Sequence, residues 1–182
     1  FIEQAMESTL IPQKVKDELL MPVFISAKQL FYIISDILDY SLILKRQLQG
    51  KFQLLPIMNT IQECVQLVET QARHKGLGLI LDVESVRGKK IATDHERVAQ
   101  ILLNILSNAV KFTTQGNISI RAEYLEDDDI VTIQVKDSGI GMTSLEKSNL
   151  YSILQEQKLG KKVASNSSGI GLGLYISDHL AR

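Results

Sequence analysis

Residues 93–113 read TDHERVAQILLNILSNAVKFT, and the way this stretch folds decides the rest of the chain. Thr93 is placed to cap a helix, with Glu96 three residues on to complete a capping box. Val98, Ile101, Leu102, Ile105, Ala109 and Phe112 then recur at helical spacing, which predicts one buried apolar stripe. At about 100° per residue, Asn104, Asn108 and Lys111 fall within an arc of roughly 60° beside that stripe. Asparagine is a mediocre helix former, so two of them four apart, with an amine three further on, ask for a reason. Taken alone, the three residues read equally well as a solvated face.

Outward from this helix the chain divides near residue 50. Residues 1–9, FIEQAMEST, read as the tail of a helix and LIPQ as the turn after it. From about Lys14 to Arg46 a long helical pattern follows, and Val23, Ala27, Leu30, Ile34, Ile37, Ser41 and Leu44 form a heptad seam. Phe24, Phe31 and Leu38 add a second stripe. So wide an apolar surface suits a helical hairpin that pairs with a second copy into a four-helix bundle. An intramolecular helix pair is the alternative. Pro22 predicts a late start or a kink. The first segment is therefore residues 1–49, and the second residues 50–182.

In the second segment FQLL is a short strand, and Ile57, Ile61, Cys64, Val68 and Ala72 mark a helix up to Lys75. LGLILDV (77–83) is a strand and VRGKK a turn. GNISIRAEYLE and IVTIQVKD form a hairpin about the acidic turn DDD, each with alternating polarity. Residues 142–168 are polar and predict a mobile loop that orders over phosphates. GIGLGLYISDHLAR is a glycine-rich turn leading into a last helix. The fold class is α+β: a helical hairpin followed by an α/β sandwich, one mixed sheet covered by helices on one face.

Two glycine motifs carry chemistry. DSGIG (137–141) follows a strand directly and reads either as a plain turn or as a base site. In the second reading Asp137 accepts the amino group of an adenine, while Gly139 and Gly141 let backbone lie flat against the ring. SSGIGLGL supplies Gly169, Gly171 and Gly173 ahead of a helix N-terminus, whose N–H groups and dipole suit phosphates. It is not the dinucleotide fingerprint, because Leu174 stands where that motif wants glycine. GKK at 160–162 is not a Walker A loop.

Composition narrows the classes. The chain is 45% hydrophobic and 23% charged with a net charge of −1, as expected for a globular core and without the basic patch of a nucleic-acid surface. Its longest uncharged stretches fall short of the ~20 apolar residues of a membrane span, so no membrane contact is expected. A single cysteine, Cys64, excludes an internal disulfide and fits a reducing compartment. On an apolar helix stripe it reads as core filler rather than a nucleophile.

An asparagine-bearing helix, then DxGxG, then a polar stretch and GxGLGL, in that order, resembles the histidine-kinase branch of the GHKL ATP-binding superfamily. DILDYS (36–41) and GKFQLLPIMNTIQECVQLVETQARHKGLGL resemble the second bundle helix and the junction segment of hybrid kinases. The resemblance implies ATP and Mg²⁺ as cofactors. It gives Asn108 the Mg²⁺ that bridges the phosphates, Asn104 a supporting role and Lys111 a phosphate contact, with Asn104 and Lys111 as the catalytic pair. It places Phe112, Asp137, Gly139, Gly141, Gly169, Gly171, Gly173 and Leu174 around the nucleotide. It further implies a homodimer through the hairpin, a response-regulator receiver domain as partner, and a cytoplasmic location with a parent protein that can be membrane-anchored.

Within the superfamily, gyrase-like ATPases carry a carboxylate where this chain has Asn104, and an amide cannot accept the proton of an attacking water. Transfer to a protein histidine is thus expected over hydrolysis by a GHKL ATPase. A non-catalytic pseudokinase module is the other alternative. None of His74, His95 or His179 sits in the family's HELRTP-like phosphoacceptor context, so the acceptor is expected upstream of Phe1, and this fragment is expected not to label itself. The F box is matched only loosely by LYSILQEQ, with Tyr151 in place of its phenylalanines. Arg182 stands ahead of the closing strands usual in this domain.

Overall fold

The computed structural model describes residues 4–5, 8–45, 47, 49–158 and 172–181; the opening FIEQAMEST lies largely outside them. Residues 4–5 are helical; a second helical stretch runs from Gln13–Val15 (α1) through a five-residue π-helical turn at Lys16–Leu20 and continues as Met21–Leu44 (α2). Helical winding thus runs through Pro22, but the regular α-helix starts late, as expected, with Pro22 in its first turn. It sits at the start of α2, where its missing N–H meets the widened π turn instead of a regular α-helical ladder.

The second segment follows as β1 (Gln53–Pro56), α3 (Ile57–His74), β2 (Gly78–Asp82), β3 (Lys90–Thr93), α4 (His95–Phe112), β4 (Asn117–Leu125), β5 (Ile130–Asp137), α5 (Ser144–Lys158) and α6 (Leu172–Leu180). Strands β2, β4 and β5 make the mixed sheet, with β2 parallel to β4 and β5 antiparallel to it. The four-residue β3 has no counterpart in the sequence reading. It pairs antiparallel with β1, Gln53 opposite Thr93, as a separate two-stranded ribbon.

That pairing also corrects the helix start. Thr93 belongs to β3, and Asp94 is the N-cap of α4, its Oδ1 accepting the Arg97 N–H at 3.2 Å. Residues 144–158, expected as loop, are helical for a local reason. Thr143 and Glu146 form a capping box, in which the Thr143 N–H donates to Glu146 Oε2 at 2.7 Å and the Glu146 N–H to Thr143 Oγ1 at 3.2 Å. These bonds hold the Glu146 carboxyl below its usual range.

One hydrophobic core joins the layers. Ile61, Cys64, Leu67 and Val68 of α3, Leu102 and Leu106 of α4, and Ile118, Ile120 and Ala122 of β4 are all buried within it. On α4 the buried face is Ala99, Leu102, Leu103, Leu106, Ala109 and Val110. Ile105 and Phe112, expected inside, are 36% and 40% exposed. The stripe is turned because α3 packs on the His95–Ala99–Val110 side, where Thr60 Oγ1 lies 2.8 Å from His95 Nδ1, Cys64 Sγ donates to the Ala99 carbonyl at 3.6 Å and Lys75 Nζ to the Val110 carbonyl at 2.7 Å.

Helix α2 has two faces. Ile25, Lys28, Tyr32, Asp36 and Asp39 recur every three or four residues and look toward the second segment: Ile25 and Asp39 are buried, and Lys28 Nζ donates to Glu63 at 2.9 Å. Arg97 Nη1 donates to Asp39, and Gln100 Nε2 donates to Asp36 Oδ1 at 2.6 Å and Asp39 Oδ2 at 3.0 Å. The expected seam lies elsewhere: Val23, Leu30, Ile34 and Ile37, with Phe31 and Leu38, are each 49–60% exposed. By length and composition Gln13–Ile43 is apolar enough to cross a membrane, which counting uncharged runs did not reveal. Its ion-paired face is committed to the second segment.

Candidate functional site

Helix α4 is held at both ends. At the start, Asp94 Oδ2 accepts the Lys51 N–H at 2.8 Å while Oδ1 caps the helix. At the end, Lys75 Nζ donates to the carbonyls of Val110 and Lys111 at 2.7 and 3.1 Å, groups an α-helix leaves unpaired. The sequence reading gave Lys75 no part. The nearest signal was Gly76 beside it, whose φ of +68° turns the chain from α3 into β2.

Between those ends the expected edge is present. Asn104 and Asn108 are half-buried and Lys111 is exposed, its Nζ 5.1 Å from the Phe112 ring centroid. Asn104 Nδ2 donates to Ser177 Oγ of α6 at 2.9 Å, and Asn108 Nδ2 donates to Asn104 Oδ1 at 3.4 Å. Gly173 occupies the first turn of α6, and a Cβ there would stand 2.9 Å from Asn104 Cγ. Its glycine is needed for close packing of α6 on Asn104. Leu174 is half-buried in the same turn, while Gly169 and Gly171 lie outside the described residues.

The DSGIG turn reaches the far end of the same helix. Asp137, exposed at the end of β5, accepts the Gly139 N–H on Oδ1 at 2.8 Å. Ser138 Oγ accepts the Asn117 N–H at 3.0 Å and donates to the Gln115 carbonyl at 3.2 Å, tying the turn to the start of β4. The Ile140 N–H donates to the Phe112 carbonyl at 3.4 Å, and a Cβ on Gly139 would come within 2.7 Å of that oxygen. Gly139 is thus needed for the contact with α4, and Gly141 takes a φ of +65° that disfavours side chains. Asn104, Asn108, Lys111, Phe112, Asp137, Gly139 and Gly173 meet along one helix edge and its C-terminal end. Tyr151 is on α5 and 66% exposed.

Among the described residues no group of three or more His, Cys, Asp or Glu forms a metal cage. A hard cation here would take one amide oxygen from Asn108, to which no described residue donates a hydrogen bond, and fill its shell from phosphate and water. The donor set fits Mg²⁺ on those terms. Two of the three histidines are engaged elsewhere, while His74 is exposed at the end of α3. His95 is buried with Nδ1 2.8 Å from Thr60 Oγ1 and Nε2 3.1 Å from the Ile91 carbonyl, and His179 Nδ1 lies 3.2 Å from the Tyr175 carbonyl. Burial, with Glu63 nearby, pushes the Cys64 thiol up to about 12, consistent with filler rather than a nucleophile.

Comparison with known proteins agrees with this fold. Residues 93–182 match the family described as histidine kinase-, DNA gyrase B-, and HSP90-like ATPase. The aerobic respiration control sensor protein ArcB of Escherichia coli is 31% identical over 167 residues, which are 92% of this chain and 21% of ArcB. The chain thus spans about a fifth of that relative. Full-length ShkA in complex with AMPPNP superposes with a TM-score of 0.63 at 24% identity, covering 91% of this chain and 33% of ShkA. Histidine kinase ThkA, in complex with response regulator protein TrrA, superposes with a TM-score of 0.51 at 21% identity, covering 82% of this chain and 43% of that one. The chain carries an ATP-binding domain of the histidine kinase, gyrase B and HSP90-like family and is homologous to sensor histidine kinases.

Proposed function

We propose that this chain is the catalytic region of a two-component histidine kinase, which binds MgATP and passes the γ-phosphate to a protein histidine for relay to a receiver aspartate. The observation that carries this reading is the convergence of the Asn104–Asn108–Lys111 edge with the Asp137–Gly139 turn at the end of one helix. Asp137 would accept the adenine amino group, and the backbone at Gly139 and Gly141 would lie against the base. Lys111 would neutralise phosphate charge, and Phe112, 40% exposed beside it, would offer apolar surface. Mg²⁺, when bound, supplies charge neutralisation between phosphates. The residues contribute chiefly position and electrostatics, which is most of what phosphoryl transfer requires. Asn104 supports transfer over hydrolysis, since its amide takes no proton from water.

The acceptor in this reading is a histidine other than His74, His95 and His179. The exposed α2 seam supports a homodimer, and the TrrA complex of ThkA supports a receiver domain as partner. A cytoplasmic location follows from the same reading.

Calorimetric titration with ATP, ADP and GTP tests it. Adenine nucleotides are expected to bind and GTP poorly, and Asp137→Asn is expected to weaken adenine binding by about 1–3 kcal/mol, the cost of a mismatched partner once the base covers this side chain. Equal affinity for ATP and GTP refutes the assignment. Incubated alone with MgATP, the chain should acquire no acid-labile phosphate.

A further inference from the structure

We infer that Ser177 is a positioning residue for the metal-bearing amide: acting through Asn104, it sets which end of the Asn108 side chain faces the nucleotide. The inference rests on the reading of Asn108 as the Mg²⁺ ligand. An asparagine ends in an acceptor oxygen and a donor nitrogen of nearly equal size, and only the oxygen serves a hard cation. Asn108 therefore has a productive and an unproductive orientation, and something beside it must choose.

The choice is made across two helices. Ser177, buried on α6, presents Oγ 2.9 Å from Asn104 Nδ2 and accepts its hydrogen. Asn104 Oδ1 is then the end turned to Asn108, whose Nδ2 donates to it at 3.4 Å. With its nitrogen directed back along the helix, Asn108 leaves its oxygen for the metal. A second feature favours this polarity. Asn104 Oδ1 is the atom nearest to a Cβ built on Gly173, in the first turn of α6. Unpaired backbone N–H groups and the positive end of the helix dipole make oxygen the favoured end of an amide there. The reverse arrangement would have the Ser177 hydroxyl donate to Asn104, Asn104 donate to Asn108 Oδ1, and the Asn108 nitrogen face the cation.

Ser177→Thr and Ser177→Val have nearly the same shape and differ by the hydroxyl, so their comparison isolates it. The full chain and both variants are titrated with ADP in Mg²⁺ and again in EDTA, with thermal melting as a check on the fold. Ser177→Thr is expected to match the parent chain. Ser177→Val should lose about threefold to tenfold of affinity in Mg²⁺, nearer the lower figure because the 3.4 Å link is long, and should bind ADP in EDTA as the Thr variant does. If the valine variant weakens both conditions alike, or matches the threonine variant in both, Ser177 only packs α6 and the inference is overturned. If the parent chain binds ADP without any Mg²⁺ dependence, the metal role of Asn108 falls and this inference with it. A normal Mg²⁺ dependence that Ser177→Val leaves intact overturns the inference alone.

Discussion

Replacing Arg97 by methionine should detach much of what holds α2 against α4. Methionine keeps the aliphatic stem that packs beneath the guanidinium, so the change mainly removes charge and hydrogen bonds. Arg97 serves two carboxylates: Nη1 donates to Asp39, whose side chain is 4% exposed, and Nε lies 3.9 Å from Asp94 Oδ2. Removing one member of a buried ion pair costs about 3–5 kcal/mol, since the other charge is left without compensation. Two features reduce that figure here. Gln100 Nε2 still donates to Asp39 Oδ2 at 3.0 Å, and the Arg97 side chain is 23% exposed, so water can reach the gap. A loss of about 2–3 kcal/mol is expected in urea unfolding near neutral pH. A double-mutant cycle with Asp39→Asn assigns the loss to the pair, because the neutral amide no longer needs the guanidinium. The coupling energy should exceed about 1 kcal/mol. Additive single and double variants would show that Arg97 acts through packing or through Asp94, and the reasoning would fail.

Three further outcomes are expected. Asp36 has its carboxyl raised above the ordinary carboxylate range, first by burial and then by Asp39 against the opposing Gln100 hydrogen bond; its contribution is most favourable below that range and is lost as pH rises through the raised value. Asp36→Asn should therefore raise the melting temperature near pH 7 and give little advantage near pH 4; an advantage independent of pH contradicts this. Thr113 is fully buried and its Oγ1 has no hydrogen-bond partner among the described residues, so the isosteric Thr113→Val should stabilise the chain by about 1 kcal/mol in urea unfolding, whereas a loss of that size would reveal a hidden partner. Ile34→Glu with Ile37→Glu, both on the exposed seam of α2, should reduce the sedimentation-derived mass to that of a monomer while ADP affinity stays unchanged; a dimer that survives places the interface elsewhere.

How far the fold could be read from the sequence depended on how much of it was periodic. The long apolar repeat of α2, the alternation of β4 and β5, and the helices α3 and α4 are patterns that burial imposes locally. β3 is four residues with a lysine at its start, too short to show a period, and it exists because β1 lies beside it. Thr93 and Asp94 are both competent caps, and the β1–β3 pairing, which claims Thr93, decides between them. Helix α5 left one legible signal, the Thr143–Glu146 capping box, and lost its apolar period because its face is exposed. Asn104, Asn108, Lys111 and Asp137 were legible since each stands out chemically within a strong pattern. Lys75 and Ser177 were not, because their partners are 35 and 73 residues away in sequence.

The misplaced stripe on α4 carries the most information. Periodicity gave that helix one apolar face, and the structure gives it two: the buried one through Leu103, Leu106 and Val110, and a second, half-covered one through Val98, Ile101, Ile105 and Phe112. Ile105 and Phe112 on that second face are 36% and 40% exposed. The surplus apolar surface runs on the side that also bears Asn104, Asn108 and Lys111, and it ends at the turn that presents Asp137 and Gly139. Apolar walls with a few placed polar groups are what a small-molecule site needs. The residues whose burial was read wrongly are thus neighbours of those whose chemistry was read from the sequence, as expected where one helix must serve both a core and a ligand.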